Sequence, residues 1–508
     1  MVDGSQNQRR RRLSRREFVK YTGAAGTVAG VAGCITTDPK EGANQNKPKG
    51  NGGDTETPID TTAPTEEVTV QWAADSRMKD NAPKVKAALH EAGLPDNITV
   101  DILAGSQVTD KRQSQYQQWL RAGQSEPDLL MMDSGWTIPF IARGQLQNLS
   151  ATLPAEMIDP VENEYLPRMV ESAKMDGDLY GIPLFPSVAT ILYRKDLVKE
   201  AGYDPEGENW AKEGMSWKQF SEVISKTKEQ TGTKYGFSFQ AKVYEGLACC
   251  TFPEFMHSWG GAYFGGTQNL FGPVGERPIT VDEKPVNDAL RMIRTFVHGA
   301  DDEHAMEGYA GGFAPNAVLQ WSEEPSRKPF TNGQAVAHRN WAYAIKINGK
   351  EEAFGEDLGI MPIPHAVSES ESNYENIGGH TSSLGGWHVS MNPNSKKKAA
   401  SLQVIKALMN EQFRLDLLEI MGLLPPIPSL FNSEKAKEVP VMGRYMDTLK
   451  IAAENSIPRP TTVVWPQQKG KIADRINACI AGEVAPEDAT EEIKSSLETI
   501  EQKAGQGE

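Results

Sequence analysis

In the stretch Pro127-Asp128-Leu129-Leu130-Met131-Met132-Asp133-Ser134-Gly135-Trp136, a short apolar run is closed on both sides by turn-forming residues. A strand with one face in water alternates apolar and polar residues, whereas this run is apolar at every position. It reads as a strand buried on both faces, as in a parallel sheet covered by helices. The residues upstream supply the rest of the layer. Glu67 to Trp72 alternates as a strand, and Pro83 sits near a helix start with Val85, Ala88, Leu89 and Ala92 on one face and Gly93 at its end. Ile98 to Leu103 follows as a strand, then a helix from Thr109, as N-cap, through Tyr116, Trp119 and Leu120 to Gly123. The order β-α-β-α-β-α predicts an open α/β layer structure.

The same grammar returns downstream. Ser216 and Gln219 form a capping-box pattern ahead of Trp217, Phe220, Val223 and Ile224, and Gly232 closes that helix before a strand from Tyr235 to Phe239. One long helix is expected from Ser395 through Leu402, Ile405, Leu408 and Phe413 to Gly422, and a final amphipathic helix runs from Pro486 through Ile493, Leu497 and Ile500. Two α/β regions in one chain put a ligand in the cleft between them, at the carboxyl ends of strands. Asp75 and Ser76 follow the first strand, Gln107 the second, and Asp133 with Trp136 the third. Against a site stands the plainer alternative that Asp133 caps a helix entered near Pro139 and Trp136 is packing.

The chain has 508 residues, with 53 basic and 68 acidic side chains and a formal charge of -15. That balance argues against nucleic acid and against adhesion to anionic lipid, and its modest acidic excess points toward a salty habitat, as of a halophilic archaeon. The first segment is different in kind. Arg9 to Arg12, Arg15 and Arg16 precede a thin apolar run, Val19 to Gly33, which is too short and glycine-rich for a permanent membrane span. Ser14-Arg15-Arg16-Glu17-Phe18-Val19-Lys20 resembles the twin-arginine export motif, and Val31-Ala32-Gly33-Cys34 resembles a lipobox, which implies lipidation at Cys34. Residues 34–65 are rich in Thr, Pro, Gly, Asn, Asp and Lys and read as a tether. Expected is a body hung by lipid on the outer face of a prokaryotic cytoplasmic membrane. Three further cysteines occur, Cys249, Cys250 and Cys479. A bridge between adjacent cysteines would be strained, so one of them can pair with Cys479, and no disulfide framework is implied.

Several motifs, in order, cover nearly the whole body. Pro127 to Leu146, Tyr180-Gly181-Ile182-Pro183-Leu184-Phe185, Leu192-Tyr193-Arg194-Lys195-Asp196-Leu197, Lys242 to Leu247, Trp259-Gly260-Gly261, Leu384-Gly385-Gly386-Trp387 and Asn392-Pro393-Asn394-Ser395-Lys396 resemble stretches of the extracellular solute-binding proteins of ABC importers, of the maltose and trehalose-binding type. The resemblance implies a bilobal periplasmic-binding-protein-like fold of type II, with two discontinuous α/β lobes joined by a hinge. Crossovers are expected near Ser187, near Met361 and near Met421 to Pro428, giving lobe 1 as 66–187 plus 363–423 and lobe 2 as 188–362 plus 424–508, after a signal peptide at 1–33. It implies a monomeric receptor with ABC permease subunits as partners and no cofactor.

A pyranose offers hydroxyls that need hydrogen-bond partners and C–H faces that stack on aromatic rings. By resemblance, Trp341 and Trp465 are candidate stacking platforms, Tyr244 and Glu245 a stack-and-hold pair, and Trp259 and Trp387 further contacts. Ser187 stands where some disaccharide-binding relatives carry an acidic residue, which points to a different or longer sugar. Two enzyme readings compete. A metal or redox enzyme would show ligand clusters or a dinucleotide loop, and only His298 and His304 flanking Asp301, Asp302 and Glu303 come near this. A glycoside hydrolase needs two carboxyl groups, for which Glu245 and Asp133 are the pair to name.

Overall fold

The computed structural model describes residues 57–106 and 108–506. The export motif, Cys34 and Gln107 therefore lie outside the described residues, as does most of the expected tether. The fold rests on two sheets and one small ribbon. Their strands are β1 (Val68–Ala74), β2 (Ile98–Ala104), β3 (Leu129–Asp133), β4 (Lys174–Met175), β5 (Asp178–Leu179), β6 (Ile182–Ser187), β7 (Ala189–Arg194), β8 (Tyr235–Ser238), β9 (Ala335–Trp341), β10 (Leu358–Met361), β11 (Ser382–Met391) and β12 (Ser456–Pro458).

The first sheet has the order β12-β11-β3-β1-β2, with β6 on the far edge of β11. In it β1 runs parallel to β2 and β3, whereas β11 runs antiparallel to β3 and β6. All five residues of β3 are buried, as an apolar run between two covered faces requires. The helices Ala82–Glu91, Lys398–Met409 and Glu411–Met421 pack Leu89, Leu402 and Phe413 into a core with Trp72, Leu129 and Val389. The second sheet has the order β10-β7-β9-β8, and its core gathers Trp217, Phe220, Phe255, Leu290 and Trp465.

Local chemistry sets most boundaries. Ser216 and Gln219 make both bonds of a capping box, and Gly232 ends the helix Trp217–Thr231 in the left-handed region. The long helix expected over 395–422 is instead two, Lys398–Met409 and Glu411–Met421, because Asn410 takes an extended conformation and its side chain caps Gln412 N. Thr109 is not an N-cap: Val108 holds that position without a side-chain bond. Its hydroxyl goes to Asp133 Oδ2, at 3.1 Å. Asp133 is not a helix cap either, since the helix Thr137–Ile141 begins after Trp136.

The chain passes between the sheets repeatedly. Only Val188 separates β6 of the first sheet from β7 of the second, and residues 362–381 lead back from β10 to β11. Within 424–508, Ser456–Pro458 returns to the first sheet, parallel to Ser382–Leu384 of β11. The joint is pinned by side chains: Ser382 Oγ accepts from Ala189 N at 2.8 Å, and Ser383 Oγ donates to the Cys250 carbonyl at 2.8 Å.

His388, inside β11, meets Thr137 and Ser172 and is fully buried. Burial lowers its imidazole from 6.5 to about 4, although the carbonyl of Met169 and the charge of Asp133 pull the other way. Burial likewise lowers His257 and His338 to about 3. Because these groups take up protons in the unfolded chain first, the stability they support is complete above pH 6.5 and is lost as pH falls toward 4. Thermal unfolding across that window should show a falling melting point, and His388→Gln should remove on the order of 3 kcal/mol of the pH-dependent part. Equal slopes for the two proteins would overturn the assignment.

Candidate functional site between the two sheets

A cavity of about 380 Å3 opens between the sheets, within the size range of small-molecule sites. From the first sheet and its helices come Asp75, Thr109, Arg112, Asp133, Phe185, Ser187 and Trp387; from the second come Tyr244, Glu245, Glu323, Trp341 and Tyr343. Strand ends do the positioning. Asp75 follows β1 and caps the helix Ser76–Asp80, Asp133 closes β3, and Trp341 closes β9.

Asp133 is held on three sides. Its carboxylate accepts from Gly135 N at 2.8 Å, from Thr109 Oγ1, and from Arg459 Nη1 at 2.8 Å. Arg459 fits because position 135 has no side chain: a Cβ there would lie 2.7 Å from its Cδ and Nη1. Asp75 accepts from Met78 N and pairs with Arg77 at 2.7 Å. Burial opposes that charge, but Arg77 and Arg112 outweigh it and hold the carboxyl below its ordinary value. Arg77 also lies 4.5 Å from the ring centre of Tyr343, on the second-sheet side.

Arg112 is 1% exposed. Its guanidinium stacks on Trp387 at 4.1 Å, and its Nε and Nη1 make no hydrogen bond within the protein. Gly105 makes room for it, since a Cβ there would meet Arg112 Cδ at 2.7 Å. Opposite in charge and from the other lobe, Glu245 is 3% exposed. Its Oε2 accepts from Lys469 at 2.6 Å, while Oε1 has no partner in the protein. Burial pushes its carboxyl above the ordinary value despite Lys469, with Asp133 and Asp110 adding to the rise. Lys469 also reaches Asp110 at 2.7 Å and Gln113 at 3.3 Å on the helix Thr109–Arg121. One ammonium thus links the two sides of the cavity.

Aromatic placement is equally fixed. Trp341 lies under the Arg339 guanidinium at 4.3 Å, and Arg339 is anchored by Glu254 at 2.6 Å and Gln240 at 2.9 Å. Tyr244 donates to Glu323 at 2.9 Å, and Tyr343 to Glu324 at 2.8 Å.

Asp75, Asp133, Ser187, Tyr244, Glu245, Trp341 and Trp387 are therefore brought together around the cavity. Ser76 starts its helix beside Asp75 but does not line it. Neither does Trp136, which is fully buried against Tyr116 and Phe140. Trp465 lies in the second core, and Trp259 packs on Tyr309 with its indole N–H toward Met292. Arg77, Arg112, Arg459, Lys469 and Tyr343 were not singled out from sequence. Arg77 and Arg112 stood just after candidate strand ends, whereas Arg459 and Lys469 arrive from far along the chain. Cys249 and Cys250 also line the cavity and are bonded to each other, not to Cys479. Cys479 is instead buried beside Arg294, and burial pushes its thiol up to about 12.

The loop between His298 and His304 forms no metal cluster. Asp302 pairs with Arg294 at 2.7 Å and His298 meets the Ile480 carbonyl at 2.8 Å. Among the described residues no helix is long and apolar enough to cross a membrane.

Two discontinuous α/β lobes around a cavity lined by aromatic and charged side chains define a solute receptor of the periplasmic-binding-protein kind. The sequence model described as bacterial extracellular solute-binding protein matches residues 87–443, and the chain belongs to that family. It is similar to a probable ABC transporter-binding protein of Deinococcus radiodurans, 26% identical over 408 residues that span 79% of this chain and 86% of the relative. Among solved structures it is similar to maltose-bound MalE3 of T. maritima, with 25% identity and a TM-score of 0.69 over 85% of this chain and 99% of that one. A solute-binding protein from Thermotoga lettingae bound with α-D-tagatose, 16% identical with a TM-score of 0.68 over 86% of this chain and 100% of that one, shares the fold.

Lys469→Met should leave Glu245 buried without its cation and lower stability by about 3 kcal/mol. Adding Glu245→Gln should recover part of that loss. Chemical denaturation of both variants checks this, and a single-variant loss under about 1 kcal/mol would show that the pair does not hold the cleft.

Proposed function

We propose that the protein is an extracellular receptor that takes up a neutral di- or oligosaccharide in the cavity between its lobes, closes over it, and passes it to an ABC import permease. The observation that carries this is the pairing of unspent hydrogen-bonding groups with aromatic faces. Arg112 keeps two donors and Glu245 one acceptor without partners in the protein, beside Trp341, Trp387 and Phe185. A sugar ring is the solute that asks for both at once. Four of the cavity's carboxylates, Asp75, Asp133, Glu245 and Glu324, already face their own cations, so they do not require a positively charged ligand. Two similar proteins point the same way, since MalE3 was solved with maltose and a matching segment belongs to a lactose-binding protein of Rhizobium radiobacter, 26% identical over 171 residues, whereas a relative in Sinorhizobium fredii, 20% identical over 364 residues, is described as a probable amino-acid ABC transporter periplasmic-binding protein. The Deinococcus radiodurans relative described as a probable ABC transporter-binding protein supports delivery to a permease.

Hydrolysis fits less well. Asp133 spends its oxygens on Arg459, Thr109 and Gly135, and Glu245 is tied to Lys469. Asp133 is not free to act as nucleophile or base while those bonds stand, which leaves Glu245, whose Oε1 has no partner, without the second carboxyl group that hydrolysis needs. Sugar turnover abolished by Glu245→Ala would reverse this conclusion.

A thermal-shift panel of mono-, di- and oligosaccharides, polyols and amino acids tests the reading, since a tight ligand raises the melting point by mass action. A sugar-specific rise is expected. Arg112→Ala or Trp341→Ala should weaken binding of the responding sugar roughly 10- to 100-fold, as loss of about 1.4 to 3 kcal/mol requires; a panel that responds to amino acids instead would move the receptor to another solute class.

The body is proposed to hang from the outer membrane face by lipid at Cys34 after twin-arginine export. In cells, Cys34→Ser should shift the protein from the membrane fraction to the medium, while Arg15→Lys with Arg16→Lys should retain it inside. Unchanged membrane association of the Cys34 variant would exclude the anchor.

A further inference from the structure

Resting on the sugar-receptor reading, we infer that the bonded pair Cys249–Cys250 is a ligand-contacting and positioning element of the cavity, forming an apolar sulfur surface that also holds Arg459 on Asp133. Both cysteines are buried, at 2% and 3% exposure, and both line the cavity. The space their side chains share with the outside is therefore the space a ligand would fill. A disulfide carries neither charge nor a donor hydrogen, so it offers the C–H face of a sugar the same kind of contact that Trp341 and Trp387 offer. It adds a surface that no aromatic residue provides.

Its second role runs through Arg459. Nη1 of Arg459 lies 3.7 Å from Cys249 Sγ and 2.8 Å from Asp133 Oδ1. The guanidinium is thus caught between a carboxylate and a sulfur that makes no competing claim on its charge. Breaking the S–S bond adds two electrons and two protons, supplied by a phosphine or a dithiol, and leaves a thiol on each residue. A thiol beside a guanidinium favours the thiolate, which would draw Arg459 away from Asp133. The pair also touches the joint between the lobes, because the Cys250 carbonyl accepts from Ser383 of β11. Two buried groups in the same cavity, Arg459 Nε and Glu245 Oε1, have no partner in the protein, which is independent evidence that this wall faces a ligand.

The experiment uses the full chain. Peptide mapping after blocking of free thiols should find Cys249 joined to Cys250 and Cys479 as a thiol. Affinity is then measured for the strongest binder among maltose, trehalose, lactose and mannitol, before and after tris(2-carboxyethyl)phosphine, and for Cys249→Ala/Cys250→Ala. Expected is a weakening of about tenfold in both cases, measured on protein whose near-UV circular dichroism shows that it is still folded, a loss that a bond acting only on the stability of the fold would not produce. Free thiols at 249 and 250, a bond to Cys479, or equal affinity in the two redox states would overturn the inference. If none of the four compounds binds, that outcome counts against the solute reading separately, and N-ethylmaleimide judges the sulfur pair. Modification at both residues after reduction, with Cys479 spared, supports their exposure to the cavity; protection equal to that of Cys479 refutes it.

Discussion

A buried ion pair, Glu254 with Arg339, fixes both the joint and the site. Taking two charges out of water costs more than their attraction returns unless nearly every remaining donor and acceptor is used, and here they are. Arg339 gives Nε and Nη2 to Glu254 and Nη1 to Gln240, while Gln240 donates to Ser326 and to the Arg339 carbonyl. Glu254 keeps one more bond, from Ser383 N of β11, at 3.1 Å. A carboxylate on a helix of the second lobe therefore holds a strand of the first. The flat face left over on Arg339 lies on Trp341, so the same pair that ties the lobes together sets the plane of an aromatic wall.

From that anchor the cavity is built outward by ionic pairs of decreasing burial. Asp133 with Arg459 and Glu245 with Lys469 are both almost fully enclosed, and Lys469 with Asp110 reaches the partly exposed rim. The gradient has a physical sense. Deep pairs hold geometry because leaving one partner alone in low dielectric is costly, whereas a pair at the rim exchanges readily with water and salt. For the receptor proposed here, the rim pair is where the two lobes part most cheaply.

Much of the first lobe was legible in sequence because its strands are short apolar runs flanked by Gly, Pro, Asp and Ser, the pattern that β3 states most clearly. The second sheet was less so. β7, β9 and β10 carry no turn signals as clean, and β8 alone followed from a capped helix and its closing glycine. Asp75 and Asp133 were found by position, since the end of a parallel strand is a place for polar groups whatever the ligand. Tryptophans resisted this logic: Trp136, Trp465, Trp341 and Trp387 look alike in sequence, and only the packing of neighbouring helices decides which indole faces a core and which a cavity. Arg459 and Lys469 were invisible for a different reason, because their meaning lies in Asp133 and Glu245, hundreds of residues away. The adjacent cysteines were judged on backbone geometry and turned out to be bonded, with Cys479 enclosed elsewhere.

Gly105 and Gly135 complete the picture from the side of what is missing. Neither lies in the left-handed region, so any residue could adopt their backbone, and a survey of conformational freedom would pass over both. What each contributes is a volume with nothing in it, one occupied by Arg112 and the other by Arg459. Empty space here acts as a functional group: the smallest side chain in the alphabet specifies where the largest cations stand. Engineering the pocket for a new solute would accordingly begin with two residues that never touch it.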